Sequence, residues 1–410
     1  MIRSGMDASG VRGRAARWLP LAALALAAAV AIAVLILGLT RQSPRSPDDL
    51  VADATSGEHF NLGRFEVEHL LGILFGEAGA LIRGQADRGA DADRVLEQYF
   101  ALGGEIRALE RAPDADAGAL ADLRAQRRIL ENRAERILER RIAAAFRAAD
   151  LSRPLPWFGG QEILWPPVAV ELTRPPRVLA VSPRDEIRLL TTRLLSPDLG
   201  DEQVHRIEAS IEADGRFSAF VDRIGGVATY PAIVFDNGSY TAAVAIAAHE
   251  WMHHYLYFYP LGAAFFESDD LRTINETVAD IVGDEIAALV FAASPQLAAP
   301  AERPDRSESD AVLNQLRRDI DVLLAEGRIA EAEALMEEVR LELAAGHGRF
   351  FRRLNQAFFA FKGVYGDRPE SSSPIGPLLR ELRARSDSLG DFVASVREVE
   401  SVAELQALRH

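Results

Sequence analysis

Hydrophobic residues follow different patterns along the chain, and each pattern predicts a different kind of structure. Residues 19–39 form an unbroken apolar run, long enough as a helix to cross the hydrocarbon core of a membrane. Within residues 59–150, Leu123, Leu130 and Ile137 recur every seven residues among charged neighbours. Such spacing is typical of a long amphipathic helix. The sequence therefore predicts a membrane anchor followed by a helical hairpin or short bundle.

The pattern changes after Pro154, where prolines, aromatic residues and β-branched residues become frequent. From about residue 241 onward it is mainly helical, and Ser239 is placed to cap the first of these helices. We predict an α+β fold that is mostly α, with one small mixed sheet. Short strands are predicted at 162–173, 177–182 and 225–236. Pro231 restricts the last of these strands to a sheet edge or a bulge.

Charges around the apolar run predict its orientation. Four arginines precede it, whereas the arginines after it are soon diluted by aspartates. The positive-inside rule then places the N-terminus in the cytoplasm and the body of the chain outside. A cleaved signal peptide is the alternative, but its apolar region is usually shorter and ends at a small-residue cleavage site. We expect a single-pass protein of the cell membrane.

These patterns divide the chain into six predicted segments. They are a cytoplasmic tail (1–18), the membrane anchor (19–39), a linker (40–58), the helical hairpin or bundle (59–150), a core that carries the chemistry (151–300) and a C-terminal helical subdomain that completes its cleft (301–410).

Composition limits the chemistry. The chain has 46 Lys and Arg against 61 Asp and Glu, for a formal net charge of −15, which argues against a nucleic-acid partner. It has no Cys, so thiolate metal sites, iron–sulfur clusters, disulfides and cysteine nucleophiles are excluded. Any metal ion must be bound by His and carboxylate side chains.

One motif has the spacing of a metal site. His249-Glu250-Trp251-Met252-His253 lies inside the first predicted helix after the strand at 225–236. On a helix, residues four apart share one face, so both imidazoles can bind one Zn²⁺. Glu250 lies further round the helix, where it can serve as a base without binding the metal. The alternative is a buried helix whose histidines are satisfied by neighbouring groups.

A second motif follows in the next predicted helix, Asn275-Glu276-Thr277-Val278-Ala279-Asp280. With both motifs and the preceding strand in this order, residues 225–293 resemble the gluzincin metallopeptidases, the thermolysin-like group. The resemblance covers less than a fifth of the chain. It implies a zincin-like core in which an edge strand lies beside the two active-site helices.

The resemblance also implies a role for each matching residue. His249, His253 and Glu276 would bind Zn²⁺ with a water as fourth ligand, and Glu250 would be the general base. Asp280 and Asn275 would orient the two ligand imidazoles by contacts on the side away from the metal.

A peptidase of this type needs a donor for the developing oxyanion. Tyr365 is the candidate, with His347 as runner-up and Asn355 also in the later segment. We predict a membrane-anchored zinc peptidase whose peptide substrate lies antiparallel along residues 225–236. The alternative is a catalytically silent envelope scaffold or binding module built on a zincin-like core.

Overall fold

The computed structural model describes residues 47–62, 65, 90–112, 114, 116–154, 162–235, 239–294, 297 and 305–409. These residues fall into two compact units. One contains residues 152–165, and the other contains residues 46–151 and 166–410. The second unit carries both sequence motifs.

Most of the described residues are helical. Helices α1–α13 span, in order, Asp48–Ala54, Ala90–Glu110, Ala117–Ala148, Asp201–Glu212, Tyr240–Leu256, Pro260–Ala263, Asp269–Ala293, Ser307–Ala325, Ile329–Gly346, Gln356–Lys362, Ile375–Arg385, Leu389–Val396 and Val402–Ala407.

The strands are short and form three separate groups. Strands β1–β8 span Arg153–Pro154, Glu162–Ile163, Val170–Thr173, Arg177–Pro183, Thr191–Leu195, Phe217–Arg223, Gly226–Val227 and Ala232–Phe235. In the first unit β1 and β2 form an antiparallel ribbon. In the second unit β5, β4 and β6 form an antiparallel sheet in that order, and β3, β8 and β7 form a mixed sheet in which β3 and β8 are parallel.

The predicted fold class needs correction. Two three-stranded sheets replace the single small sheet expected from the sequence. No helix among the described residues is long and apolar enough to cross a membrane, so the predicted anchor has no support in the structure. Residues 1–18 and 19–39, the predicted tail and anchor, lie outside the described residues.

The predicted linker over residues 40–58 also differs from the structure. Residues 48–54 form α1, and Val51 on this helix is fully buried. It packs with Leu195 of β5, Ile207 of α4 and Val221 of β6 in one apolar cluster. Burial of these side chains gives a short segment rich in Asp and Pro enough apolar contact to become ordered.

The helical hairpin consists of α2 and α3, and it packs against the motif helices. Asp116 caps α3 by accepting hydrogen bonds from the N–H groups of Gly118 and Ala119. Only the C-terminal half of α3 is buried, where the Phe146 ring lies 3.9 Å from the ring of Trp251 on α5. The hairpin therefore shares a compact unit with the predicted core from residue 166 onward, whereas residues 152–165 of that core belong to the other unit.

Helices α5 and α7 pack closely because small residues line their contact. Ser239 accepts a hydrogen bond from the N–H of Ala242 and so caps α5, as predicted. On α7, a methyl group added at Gly283 would lie 3.0 Å from the carbonyl oxygen of Ala245 and 3.3 Å from Cβ of His249. The absence of a side chain there lets α7 lie directly against the part of α5 that carries the motif.

Candidate metal centre

Three side chains from α5 and α7 converge on one point. The Nε2 atoms of His249 and His253 lie 3.0 Å apart, and Oε2 of Glu276 lies 3.4 Å and 3.5 Å from them. All three side chains are mostly buried, with 13–15% of their surface exposed. This is the one group of His and acidic residues in the described ranges whose ligand atoms are close enough to hold a metal ion.

The spacing of the three atoms fits a single small cation. Ligand atoms about 2.0–2.2 Å from a tetrahedral Zn²⁺ lie roughly 3.3–3.6 Å from one another. The observed separations match that range, apart from the slightly shorter distance between the two imidazoles. The residues predicted from the two motifs therefore lie together as a set that could bind a metal ion.

Hydrogen bonds behind the imidazoles set which ring nitrogens are free. Nδ1 of His249 lies 2.9 Å from Oδ1 of Asp280, and Nδ1 of His253 lies 2.8 Å from Oδ1 of Asn275. Asn275 in turn donates from Nδ2 to the carbonyl oxygen of Leu261. Because both oxygens accept, each Nδ1 carries a hydrogen, so a ring in its neutral form presents the lone pair of Nε2 toward the shared point.

That arrangement favours a cation. Oε2 of Glu276 is buried without a hydrogen-bond partner, and the Nε2 atoms of the two imidazoles face each other beside it. Burial raises the pKa of Glu276, but the two imidazoles outweigh burial and hold the pKa well below its usual range. Burial by itself lowers the pKa of His249, but Asp280 and Glu276 outweigh burial and hold that pKa above its usual value. A metal ion would satisfy all three groups at once.

Glu250 lies close to these three side chains and against β7 of the mixed sheet. Its residue is 7% exposed, and burial raises the pKa of its carboxyl group, an effect that His249 and His253 oppose. No hydrogen bond or ion pair joins its carboxylate to another described residue. A methyl group added at Gly226 of β7 would lie 2.5 Å from Oε1 of Glu250. The carboxylate thus lies between α5 and the edge strand β7. Because no described residue binds it, it is free to accept a hydrogen bond from a ligand.

Tyr365, the predicted oxyanion donor, lies next to His249. Its ring centroid is 6.2 Å from that of His249. Burial and the carboxylates of Glu276 and Asp280 raise the pKa of its phenol well above the usual value, despite the nearby Arg368. The phenol is therefore neutral at physiological pH and can donate a hydrogen bond.

The other two candidates for the oxyanion donor, Asn355 and His347, lie elsewhere in the fold. Asn355 caps α10 by accepting from the N–H of Phe358, and its Nδ2 donates to the carbonyl oxygen of Ala219. His347 lies at the end of α9, where its Nδ1 is 4.0 Å from a carboxylate oxygen of Glu308 on α8. Neither side chain has a described contact with His249, His253 or Glu276. Their contacts instead stabilise the ends of nearby helices.

Sequence reasoning missed two residues around the site. Arg368 contacts Asp280, and Thr277 accepts a hydrogen bond from the N–H of Gly366, the residue after Tyr365. Thr277 lies within the second motif, but nothing in the spacing of the motif indicates a partner 89 residues away. Arg368 lies in an irregular segment, for which periodicity gives no signal.

Comparisons with protein-family models, with curated proteins and with solved structures find no match for this chain. The resemblance to the gluzincins therefore stays a prediction. It depends on the motif residues and on the contacts between them.

Proposed function

We propose that the chain is a zinc-dependent peptidase of gluzincin type. His249, His253 and Glu276 would hold the metal, and their two imidazole nitrogens and one carboxylate oxygen are the donor set of many catalytic zinc sites. Zn²⁺ fits this set better than Mg²⁺ or Ca²⁺, which prefer oxygen ligands. When bound, Zn²⁺ supplies a Lewis acid that polarises a carbonyl group and makes water easier to deprotonate.

The observation that carries the proposal is the position of Glu250. Its carboxylate interacts electrostatically with His249, His253 and Glu276 without being one of the three grouped residues, and it has no ion-pair partner among the described residues. Burial raises its pKa, which makes it a stronger base than an exposed glutamate. It would take a proton from the attacking water and pass it to the leaving amine. A site that only binds metal has no need of this residue.

The edge of the mixed sheet supplies a place for the substrate backbone. In the order β3, β8, β7, strand β7 is at the edge and adjoins Glu250, whereas β8 is the central strand. The proposed substrate strand therefore lies along Gly226–Val227 and not along the whole of residues 225–236. The other edge is closed, because Glu139 and Glu135 of α3 accept the N–H groups of Val170 and Leu172 on β3.

Tyr365 completes the proposed chemistry. Its neutral phenol would donate to the carbonyl oxygen of the scissile peptide as negative charge develops there. Its ring lies beside that of His249, within the proposed site. The proposal thus assigns the base to α5 and the oxyanion donor to the loop after α10.

The test is hydrolysis of a mixed peptide library by the zinc-loaded protein. Glu250→Gln should keep its zinc and its unfolding temperature but lose about 10²–10⁴-fold in kcat/KM, because the side chain is not a ligand. Glu338→Gln, at an exposed position on α9, is the matched control and should be fully active. A wild type without chelator-sensitive cleavage would favour the alternative, a catalytically silent binding module, whereas a fully active Glu250→Gln variant would overturn the role of Glu250 as the general base.

A further inference from the structure

The loop that carries Tyr365 is attached to α7 at two points. The N–H of Gly366 donates to Oγ1 of Thr277 over 2.9 Å. One turn further along α7, Arg368 donates from Nη2 and Nε to Oδ2 of Asp280, over 2.9 Å and 3.1 Å. Both contacts join a segment after α10 to the helix that carries Glu276.

The second contact leads directly to a metal ligand. The two oxygens of Asp280 face in different directions: Oδ2 accepts from Arg368, and Oδ1 lies 2.9 Å from Nδ1 of His249. With Oδ2 held by two N–H groups, the carboxylate has one orientation in which Oδ1 meets the imidazole. Arg368 therefore contacts the metal centre through a single intervening side chain.

The same guanidinium also covers the tyrosine. Cζ of Arg368 lies 4.2 Å from the ring centroid of Tyr365, within the range of a cation–π contact. The side chain of Arg368 is 45% exposed, so its outer face meets solvent while its other contacts are Tyr365 and Asp280. One side chain thus holds both the proposed oxyanion donor and the group behind His249.

We infer that Arg368 is a positioning residue of the metal centre. Through Arg368, the position of the loop that carries Tyr365 sets the affinity of the centre for the metal ion. Arg368 acts by fixing Asp280, and through Asp280 the ring of His249. The inference rests on the proposed metal site but not on peptide cleavage.

The sign of the effect separates positioning from simple electrostatics. Removing a positive charge near the centre would by itself strengthen the binding of a cation. Loss of the orientation of Asp280 acts in the opposite direction, because a freer imidazole binds metal less tightly. Weaker zinc binding after removal of Arg368 can therefore be attributed to lost orientation.

The experiment measures zinc affinity of the full chain by competition with a chelator. Arg368→Ala should bind Zn²⁺ about tenfold more weakly, at the lower end of the effect of removing a group that orients a ligand. Arg368→Lys should lie between Ala and the wild type, because an ammonium group can still donate a hydrogen bond to Asp280 but lacks the paired N–H groups that fix its orientation. Arg380→Ala is the control, since the exposed Arg380 contacts the same loop at the carbonyl oxygen of Asp367.

A double-mutant cycle tests the route through Asp280. In an Asp280→Ala background, Arg368→Ala should cause no further loss of zinc affinity. Equal or tighter zinc binding by Arg368→Ala, or the same loss in Arg380→Ala, would overturn the inference. If Arg368→Ala does not fold, an unchanged affinity in Arg368→Lys would overturn it instead. A wild type that binds no zinc would overturn the proposed function as well, whereas a zinc-binding wild type without peptidase activity would leave the role of Arg368 intact.

Discussion

Gly226 of β7 gives the sharpest test of how Glu250 is positioned. A methyl group at this position would lie 2.5 Å from Oε1 of Glu250, 2.8 Å from the carbonyl oxygen of Ile233 and 2.8 Å from Cγ2 of Ile246. Contacts between carbon and oxygen are comfortable at about 3.3–3.6 Å. The carboxylate of Glu250 must therefore move by about 1 Å in Gly226→Ala.

A shift of that size is large for a general base. Misplacement by about 1 Å can reduce turnover roughly 10²-fold, so we expect kcat on a cleaved peptide to fall by about that factor. Overpacking typically costs about 1–3 kcal/mol, and the carbonyl of Ile233 cannot move as freely as a side chain. The unfolding free energy should fall within that range. Zinc content should stay at the wild-type level, since the three atoms nearest the new methyl group belong to none of the proposed ligands.

The neighbouring glycine provides a matched control. A methyl group at Gly225 would meet only the side chain of Ile246, at 3.2 Å and beyond, and would not reach Glu250. Gly225→Ala should therefore keep nearly all its activity. The assay compares kcat, zinc content and urea unfolding for both variants. Wild-type kcat in Gly226→Ala would refute the reasoning that the edge strand positions the base.

Three further changes have defined outcomes. Asp280→Ala should weaken zinc binding about 10–100-fold while leaving Glu250 in place, which chelator competition measures; unchanged affinity would contradict the role of Asp280 behind His249. Ser268→Ala should lower the unfolding free energy by about 1 kcal/mol, because Ser268 caps α7 by accepting from the N–H of Leu271; urea unfolding checks this. Burial and the nearby Glu171 raise the pKa of Glu135 from 4.5 to about 8, so its contribution to stability is present at low pH and is lost as the pH rises toward 8. The melting temperature of Glu135→Gln relative to wild type should therefore increase between pH 5 and pH 8, and a constant difference would contradict this.

The sequence predicts the two motif helices well because their signals are local. Small apolar residues and the Ser239 cap define α5, and a spacing of four residues on one helix puts His249 and His253 on the same face. The contact of Glu276 with both histidines depends on how α7 packs against α5, which only the resemblance suggested.

Other features depend on contacts between distant residues. The predicted strand at 225–236 divides into β7 and β8, because the chain turns back on itself and pairs Gly226 with Val234. The helix at Asp48–Ala54 is ordered by a cluster that includes Leu195 and Val221, which no local pattern reveals. Arg368 reaches Asp280 across 88 positions of the chain. Such pairs follow from the tertiary fold and not from spacing.

The most direct test of the metal centre is an anomalous difference map, collected at the zinc absorption edge, from crystals of the protein grown with Zn²⁺. The account predicts one strong peak within about 2.0–2.2 Å of Nε2 of His249, Nε2 of His253 and Oε2 of Glu276. Crystals that show no peak among these three atoms, or show zinc bound only elsewhere, would contradict it.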